Sequence, residues 1–351
     1  MTVAVDINPA TRPILTGTET FTREICRRLP AVAPELRWRF FASRARAGVG
    51  VDVVVLPMRR LWSQVRLPLH LASERPDLLF VPAHVVPFAW PGRSLAVIHD
   101  LAFERYPEAY STAERTYLQV TTRWAVARCR LLIAVSESTK QDLVELYRVP
   151  PERVRVVPLG ISPPSTKAAP AGRLHELGVD GSFVLQVGRI EPRKNQAAAL
   201  AAVERLDGVQ LVAAGAERDP ALSARLRASP KCRVLGVVDP PTLELLYERA
   251  AAVVVPSLYE GFGLPVLEAM VRGKVVVAAK ASSLPEVGGS GALYFHDPAD
   301  PQNLARVLES ALTDRQLRET MSAAAVSRAA EFTWDRTAKT VAGVISEVLA
   351  A

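Results

Sequence analysis

Residues Val253–Met270 read VVVPSLYEGFGLPVLEAM, and the way this stretch must run points to the fold. Three successive valines suit a buried strand of a parallel sheet, whose two faces are both covered. The strand enters a glycine-bearing turn, Glu260-Gly261-Phe262-Gly263, which opens onto a helix beginning near Leu264 or Pro265. Pro265 suits the start of a helix, because its missing N–H would have had no partner there. A helix start leaves backbone N–H groups free and carries partial positive charge, so it suits an anion such as a phosphate. Two carboxylates, Glu260 and Glu268, flank that point with seven residues between them. Carboxylates repel phosphate and accept hydrogen bonds from hydroxyls. Phosphate beside hydroxyls describes a nucleotide-sugar.

The same strand-to-helix alternation extends outward in both directions. Upstream of residue 160, strands are expected at Val3–Ile7, Trp38–Phe41, Val51–Leu56, Leu78–Val81, Leu95–Ile98, Leu131–Val135 and Val154–Val157. Helices are expected between them, notably at Thr18–Leu29, Thr112–Cys129 and Ser138–Tyr147, the last with a serine cap in Ser136-Glu137-Ser138. The run Pro158–Gly172 holds four prolines and little periodicity and reads as a linker. The alternation then restarts, with strands at Phe183–Val187, Val209–Ala214, Val234–Leu235, Val253–Val255, Val275–Ala278 and Leu293–Phe295. A chain of 351 residues is long for one core. The expectation is therefore α/β: two doubly wound, Rossmann-like domains, residues 1–160 and 173–333, joined by a linker at 161–172. Thr333–Ala351 reads as a helix.

Four short motifs fall in a telling order. They are Thr16-Gly17-Thr18, His99-Asp100, the segment VGRIEPRKNQ with Gly188, Arg189 and Lys194, and Glu260-x7-Glu268. Each follows an expected strand, where open α/β sheets bind their ligands. Together, in the setting EGFGLPVLEAM, they resemble the signature of the retaining glycosyltransferase family 4. The resemblance spans nearly the whole chain. It implies the GT-B fold, in which two such domains face each other across a cleft. It further implies that the first domain serves the acceptor, that the second binds the donor, and that the helix at 334–351 packs back on the first.

From the residues themselves, a departing nucleoside diphosphate needs its charge stabilised, and Arg can fork onto phosphate oxygens while Lys acts as a point charge. Arg189 and Lys194 fit that task; Arg193 is expected to point outward. The amides of Phe262, Gly263 and Leu264 are expected to face the diphosphate and sugar, glycine allowing close approach. The resemblance implies that Glu268 holds the ribose hydroxyls, and that Glu260 lies beside the transferred sugar, orienting it or steadying positive charge at its anomeric carbon. His99 is implied to contact the donor sugar. Asp100 binds the acceptor or holds its loop, and His84, in FVPAHVVP, is a weaker acceptor-side candidate. Gly17 suits a diphosphate-facing turn ahead of a helix, with Thr18 as cap, ligand or both. The family often carries a fuller glycine cluster there, and this chain has a single glycine. Glu286, in SSLPEVGG, supports the sugar pocket, or serves as a cap or loop brace.

No pair of closely spaced aspartates stands where a metal-bridged diphosphate would need it, so no metal and no cofactor beyond the co-substrate is expected. The expected reaction is hexosyl transfer, mannose favoured over glucose, from a nucleoside-diphosphate sugar to a glycan or lipid-linked acceptor. Polysaccharide or glycolipid synthesis would be its setting. A catalytically silent sugar-nucleotide-binding protein is the alternative. A Rossmann-type oxidoreductase is weaker, because neither half shows G-x-G-x-x-G after a strand.

The formal net charge is +7, and eight arginines lie between Arg37 and Arg75 against two acids, Asp52 and Glu74. Within this run MRRLWSQVRLPLHLA (Met58–Ala72) reads either as a surface element with solvated arginines, the preferred reading, or as a contact with anionic membrane. No motif for nucleic acid accompanies the basic residues. No run of eighteen apolar residues occurs, the N-terminus lacks the pattern of a signal peptide, and the three cysteines fit no disulfide framework or zinc spacing. A cytoplasmic protein, at most peripheral to the inner membrane face, is expected.

Overall fold

A computed structural model of the chain describes residues 1–12, 16–46 and 48–351. Contacts divide these into two compact units, Met1–Gly160 with Phe332–Ala351, and Ile161–Glu331. The first unit carries β1 (Thr2–Asp6), β2 (Arg37–Ala42), β3 (Val53–Val55), β4 (Leu78–Val81), β5 (Ser94–Ile98), β6 (Leu132–Ala134) and β7 (Val154–Val156). They form one parallel sheet in the order β3-β2-β1-β4-β5-β6-β7. The second carries β8 (Ser182–Val187), β9 (Val209–Ala214), β10 (Cys232–Gly236), β11 (Ala252–Val255), β12 (Val276–Ala279) and β13 (Leu293–Phe295). These are parallel as well, in the order β10-β9-β8-β11-β12-β13.

Both orders reverse direction next to the unit's first strand, between β1 and β4 and between β8 and β11. Such a switch point leaves a crevice beyond the carboxyl ends of the two strands, because their following segments turn to opposite faces of the sheet. Every expected strand is present, with ends shifted by a residue or two. The apolar runs made them legible: β5 and β11 are buried along their whole length, as a strand covered on both faces requires.

The helices differ more at their ends. Gly17–Val32 runs past the expected stop at Leu29 and carries Pro30 in its last turn, where the Ala33 N–H still closes onto the Leu29 carbonyl at 2.9 Å. Glu137–Tyr147 is capped by Ser136, whose hydroxyl accepts from the Thr139 N–H at 3.0 Å. Trp334–Ala350 packs against Gly17–Val32 and buries Val341, Ile345 and Val348. Where the chain returns, Gly160 leaves room for the Trp334 backbone nitrogen, which a Cβ would approach to 2.3 Å. Arg28–Asp335 and Arg155–Glu347 ion pairs tie the last helix to the first unit.

The proline-rich run expected as a linker lies along the second unit. The Ser165 N–H donates to Glu244 at 3.2 Å and the Ala169 N–H to the Pro241 carbonyl at 2.9 Å. The three cysteines are buried and free. Among the described residues no helix is long and apolar enough to cross a membrane.

Candidate active site

In the second unit, the segments after β8 and β11 meet at the switch point. Lys194 Nζ lies 2.5 Å from Oε1 of Glu260, and the Ser257 hydroxyl donates to the same oxygen at 2.7 Å. Arg193 Nη1 stands 3.6 Å from the other carboxylate oxygen. Burial pushes the Glu260 carboxyl up, but the charges of Lys194 and Arg193, with hydrogen bonds from Lys194 and Ser257, outweigh it and hold the group below its ordinary range. Glu260 is therefore an anion at neutral pH despite being 7% exposed. One hydrogen bond leaves Lys194 two further donors for an incoming oxygen.

Arg193 corrects an expectation. It is buried rather than outward: Nη1 donates to the Tyr259 carbonyl and Nη2 to Glu191, each at 2.7 Å. Five hydrogen-bonding N–H groups in a rigid fork let one arginine brace both segments, which a freely solvated side chain could not do. Arg189, by contrast, is half-buried and makes no ion pair among the described residues. Its backbone is pinned by Gln196, which donates to its carbonyl at 2.7 Å. Gly188 and Gly215 make this loop possible. Their φ values are 144° and 154°, and a Cβ on Gly215 would sit 2.0 Å from the Gly188 carbonyl oxygen.

The turn Glu260–Gly263 is clamped from the segment Ser282–Ser283. Ser282 Oγ accepts from the Glu260 N–H at 2.8 Å, and Ser283 Oγ meets the carbonyls of Glu260 and Phe262 at 2.9 and 2.8 Å. Ser282 takes a left-handed φ of 44° to do so. Farther along the same segment the Glu286 carbonyl accepts from Arg328 at 2.6 Å. Gly263 has φ 101° and opens the helix Leu264–Met270, with Phe262 buried beneath the turn. Glu268, in that helix, is half-buried and accepts from the Tyr247 hydroxyl at 2.8 Å. Nothing in the sequence marks Ser257, Ser283 or Tyr247 for these contacts, although the pair Ser282-Ser283 opens the segment SSLPEVGG that holds Glu286.

In the first unit, His84, His99 and Asp100 come together beyond β4 and β5. His99 Nε2 lies 2.8 Å from the Pro82 carbonyl, and its ring meets Phe21 edge-on at 5.2 Å. Burial lowers the His99 pKa against the opposing pull of Pro82, Asp100 and Glu19. Burial drives His84 down to about 4, and its Nε2 is buried with no hydrogen-bond partner among the described residues. Asp100 accepts from the Ala102 N–H at 3.1 Å, so it braces its loop.

Gly17 is the first residue of its helix rather than a turn ahead of it. Thr18 sits in the first turn, where its carbonyl accepts from the Thr22 hydroxyl at 2.8 Å. The buried carboxylate of Glu19 accepts from the Thr16 N–H at 3.0 Å and from Arg12 at 2.8 Å. Residues 13–15, which precede Thr16 in the sequence, lie outside the described residues. Asp6, at the carboxyl end of β1, escaped the sequence reading although it is the lone acid in TVAVDI. It is 6% exposed, and burial lifts its pKa to about 7 against the Asn8 N–H and the charge of Arg12. Among the described residues no group of three or more His, Cys, Asp or Glu side chains is placed to share a metal ion.

Comparison with known proteins bears on the family and the fold. Residues 175–328 match the family model described as glycosyl transferases group 1, and residues 15–163 match that of glycosyltransferase family 4. The O-antigen chain mannosyltransferase B of Escherichia coli is 30% identical over 258 residues, covering 69% of this chain and 67% of that protein. The D-inositol 3-phosphate glycosyltransferase of Thermobispora bispora is 37% identical over 248 residues, covering 62% and 56%. The chain thus spans little more than half the length of that second relative. The crystal structure of Anabaena HepE in complex with UDP-glucose superimposes with a TM-score of 0.77 at 20% identity, over 99% of this chain and 100% of that one. With the GT-B pair of sheets, both family models and these relatives in agreement, the chain belongs to glycosyltransferase family 4.

Proposed function

We propose that this glycosyltransferase moves a hexose, mannose by preference, from a nucleoside-diphosphate sugar to a hydroxyl of a polysaccharide or lipid-linked acceptor. It retains the anomeric configuration and needs no metal. The observation that carries the reading is the ionised Glu260 held by Lys194 at the switch point of the second unit, with the half-buried Arg189, which makes no ion pair among the described residues, on the loop that follows β8. The mannosyltransferase relative supports the sugar. UDP-glucose in the similarly folded HepE supports a nucleotide-sugar as donor.

In the reaction the bond between the anomeric carbon and the diphosphate oxygen breaks. The acceptor oxygen bonds to that carbon on the same face, and its proton passes to the leaving phosphate. Arg189 and Lys194 stabilise the negative charge that develops on the diphosphate, the task a divalent ion would otherwise perform. Glu260 orients the sugar and steadies positive charge at the anomeric carbon. Glu268 takes the ribose hydroxyls, and the Gly263 and Leu264 amides meet the diphosphate. His99 contacts the sugar, with Asp100 and His84 on the acceptor side. Peripheral attachment to anionic membrane belongs to the same proposal. Its support is the exposed series Leu61, Val65 and Leu69 beside exposed Arg59 and Arg60.

Turnover of GDP-mannose and UDP-glucose with glycan acceptors tests the reading. Arg189→Ala is expected to lower kcat by about a hundredfold or more, and chelator to leave the wild-type rate intact. Near-normal turnover in the variant would refute the leaving-group role, and a rate abolished by chelator and restored by a divalent ion would refute the metal-free reaction.

A further inference from the structure

Three side chains behind Glu268 take part in none of the steps above. Tyr247, on the helix Pro240–Arg249, is fully buried, and its hydroxyl donates to Oε2 of Glu268 at 2.8 Å. The guanidinium carbon of Arg272 lies 4.6 Å from the centre of the Tyr247 ring. Arg272 Nη1 donates to the Glu268 carbonyl at 2.7 Å, while Nε and Nη2 fork onto Glu244 at 2.9 and 2.7 Å. Glu244 also accepts from the Ser165 N–H at 3.2 Å, in the proline-rich run that enters this unit. Glu268 is thus gripped at its backbone and at one carboxylate oxygen. Its Oε1 takes no hydrogen bond from the described residues.

Resting on the reading of Glu268 as the ribose ligand, we propose that Tyr247 is a positioning residue for the donor. Its hydroxyl fixes the Glu268 carboxylate so that Oε1 meets the ribose diol, and the Arg272–Glu244 pair keeps Tyr247 seated. A glutamate on a helix surface otherwise samples many rotamers, and ordering it on binding would cost affinity. A hydrogen bond to a charged acceptor is among the stronger kinds and sets direction as well as energy. Burial, with the charge of Glu268 beside it, keeps the Tyr247 phenol well above its ordinary pKa, so the hydroxyl remains a donor through the neutral range. The stacked guanidinium prevents the ring from tilting away, and its bidentate grip on Glu244 fixes it in turn.

Calorimetric titration of the full chain with UDP and GDP, each beside its 2′,3′-dideoxy analogue, tests this. Wild type is expected to prefer the diol-bearing form of the nucleotide it binds. Tyr247→Phe, which removes one oxygen, should shrink that preference by about tenfold while leaving the affinity for the dideoxy analogue unchanged. Arg272→Lys should shift it the same way, and decides the matter where Tyr247→Phe does not fold. A wild-type preference in Tyr247→Phe, with loss of preference in Glu268→Ala, overturns the positioning role alone. Equal weakening toward both analogues overturns it too, since a loosened fold does not select for the diol. A preference untouched in Glu268→Ala, or no nucleotide binding by wild type, overturns the ribose reading and this inference with it.

Discussion

Lys194 and Glu260 stand 66 residues apart in the chain and 2.5 Å apart in space, and their neighbours decide what each can do. Glu260 stays charged because two cations outweigh its burial. Asp6 shows the opposite balance, since one backbone N–H and a more distant Arg12 do not offset its desolvation. An unfolded Asp loses its proton near the ordinary value of 3.8, and the folded group holds it to about 7. Between those values the native state binds the extra proton, so its contribution to stability falls as pH rises. Asp6→Asn, which keeps the acceptor for the Asn8 N–H, is expected to raise the melting temperature at pH 8 while changing it little at pH 4. An equal shift at both values would show that Asp6 is ionised throughout. The placement of Glu260, Glu268 and Arg189 was legible in the sequence because each sits at a fixed offset from a strand or turn. Arg193 was misread because its partner Tyr259 lies far along the chain.

At the scale of elements, the turn after β8 depends on two glycines pressed together. Gly215 follows β9 and Gly188 follows β8, neighbouring strands whose ends converge just where the Arg189 loop leaves the sheet. Gly215→Ala would drive a methyl against the Gly188 carbonyl at a φ that side chains rarely adopt. A loss of about 2 kcal/mol or more in denaturant stability is expected, with a rise in donor KM because the loop carrying Arg189 must shift. Unchanged stability would mean that the strand ends separate freely. The strands themselves were legible because a strand buried on both faces must be an apolar run. Helix ends were less so. Pro30 marks a break by local rules, yet the last turn of its helix still closes, through the Ala33 N–H onto the Leu29 carbonyl.

At the scale of the whole molecule, two units share the same doubly wound plan, and the charge is spread unevenly over them. Leu61 and Leu69 are 67% and 65% exposed, on a stretch whose Trp62 is buried and anchored to the Leu56 carbonyl at 2.8 Å. Such a rigid base with apolar and arginine side chains outward suits the headgroup region of an anionic bilayer. Part of the basic run is committed elsewhere, since Arg39 lies in β2 and pairs with Glu74 at 2.6 Å. The protein is expected to sediment with phosphatidylglycerol vesicles and not with phosphatidylcholine ones, weakly at high salt and weakly after Leu69→Asp. Equal recovery with both vesicle types would end the membrane reading.

The sequence by itself determined the α/β alternation, the thirteen strands and the motif residues at their carboxyl ends, because apolar period and turn chemistry act over a few neighbours. Strand order, the burial of Arg193, the serine clamp on the Glu260 turn and the Tyr247–Arg272 support of Glu268 were decided only by tertiary structure. Each joins segments that have no local reason to meet, and desolvation and hydrogen bonding choose among such partners only when the sheets have assembled.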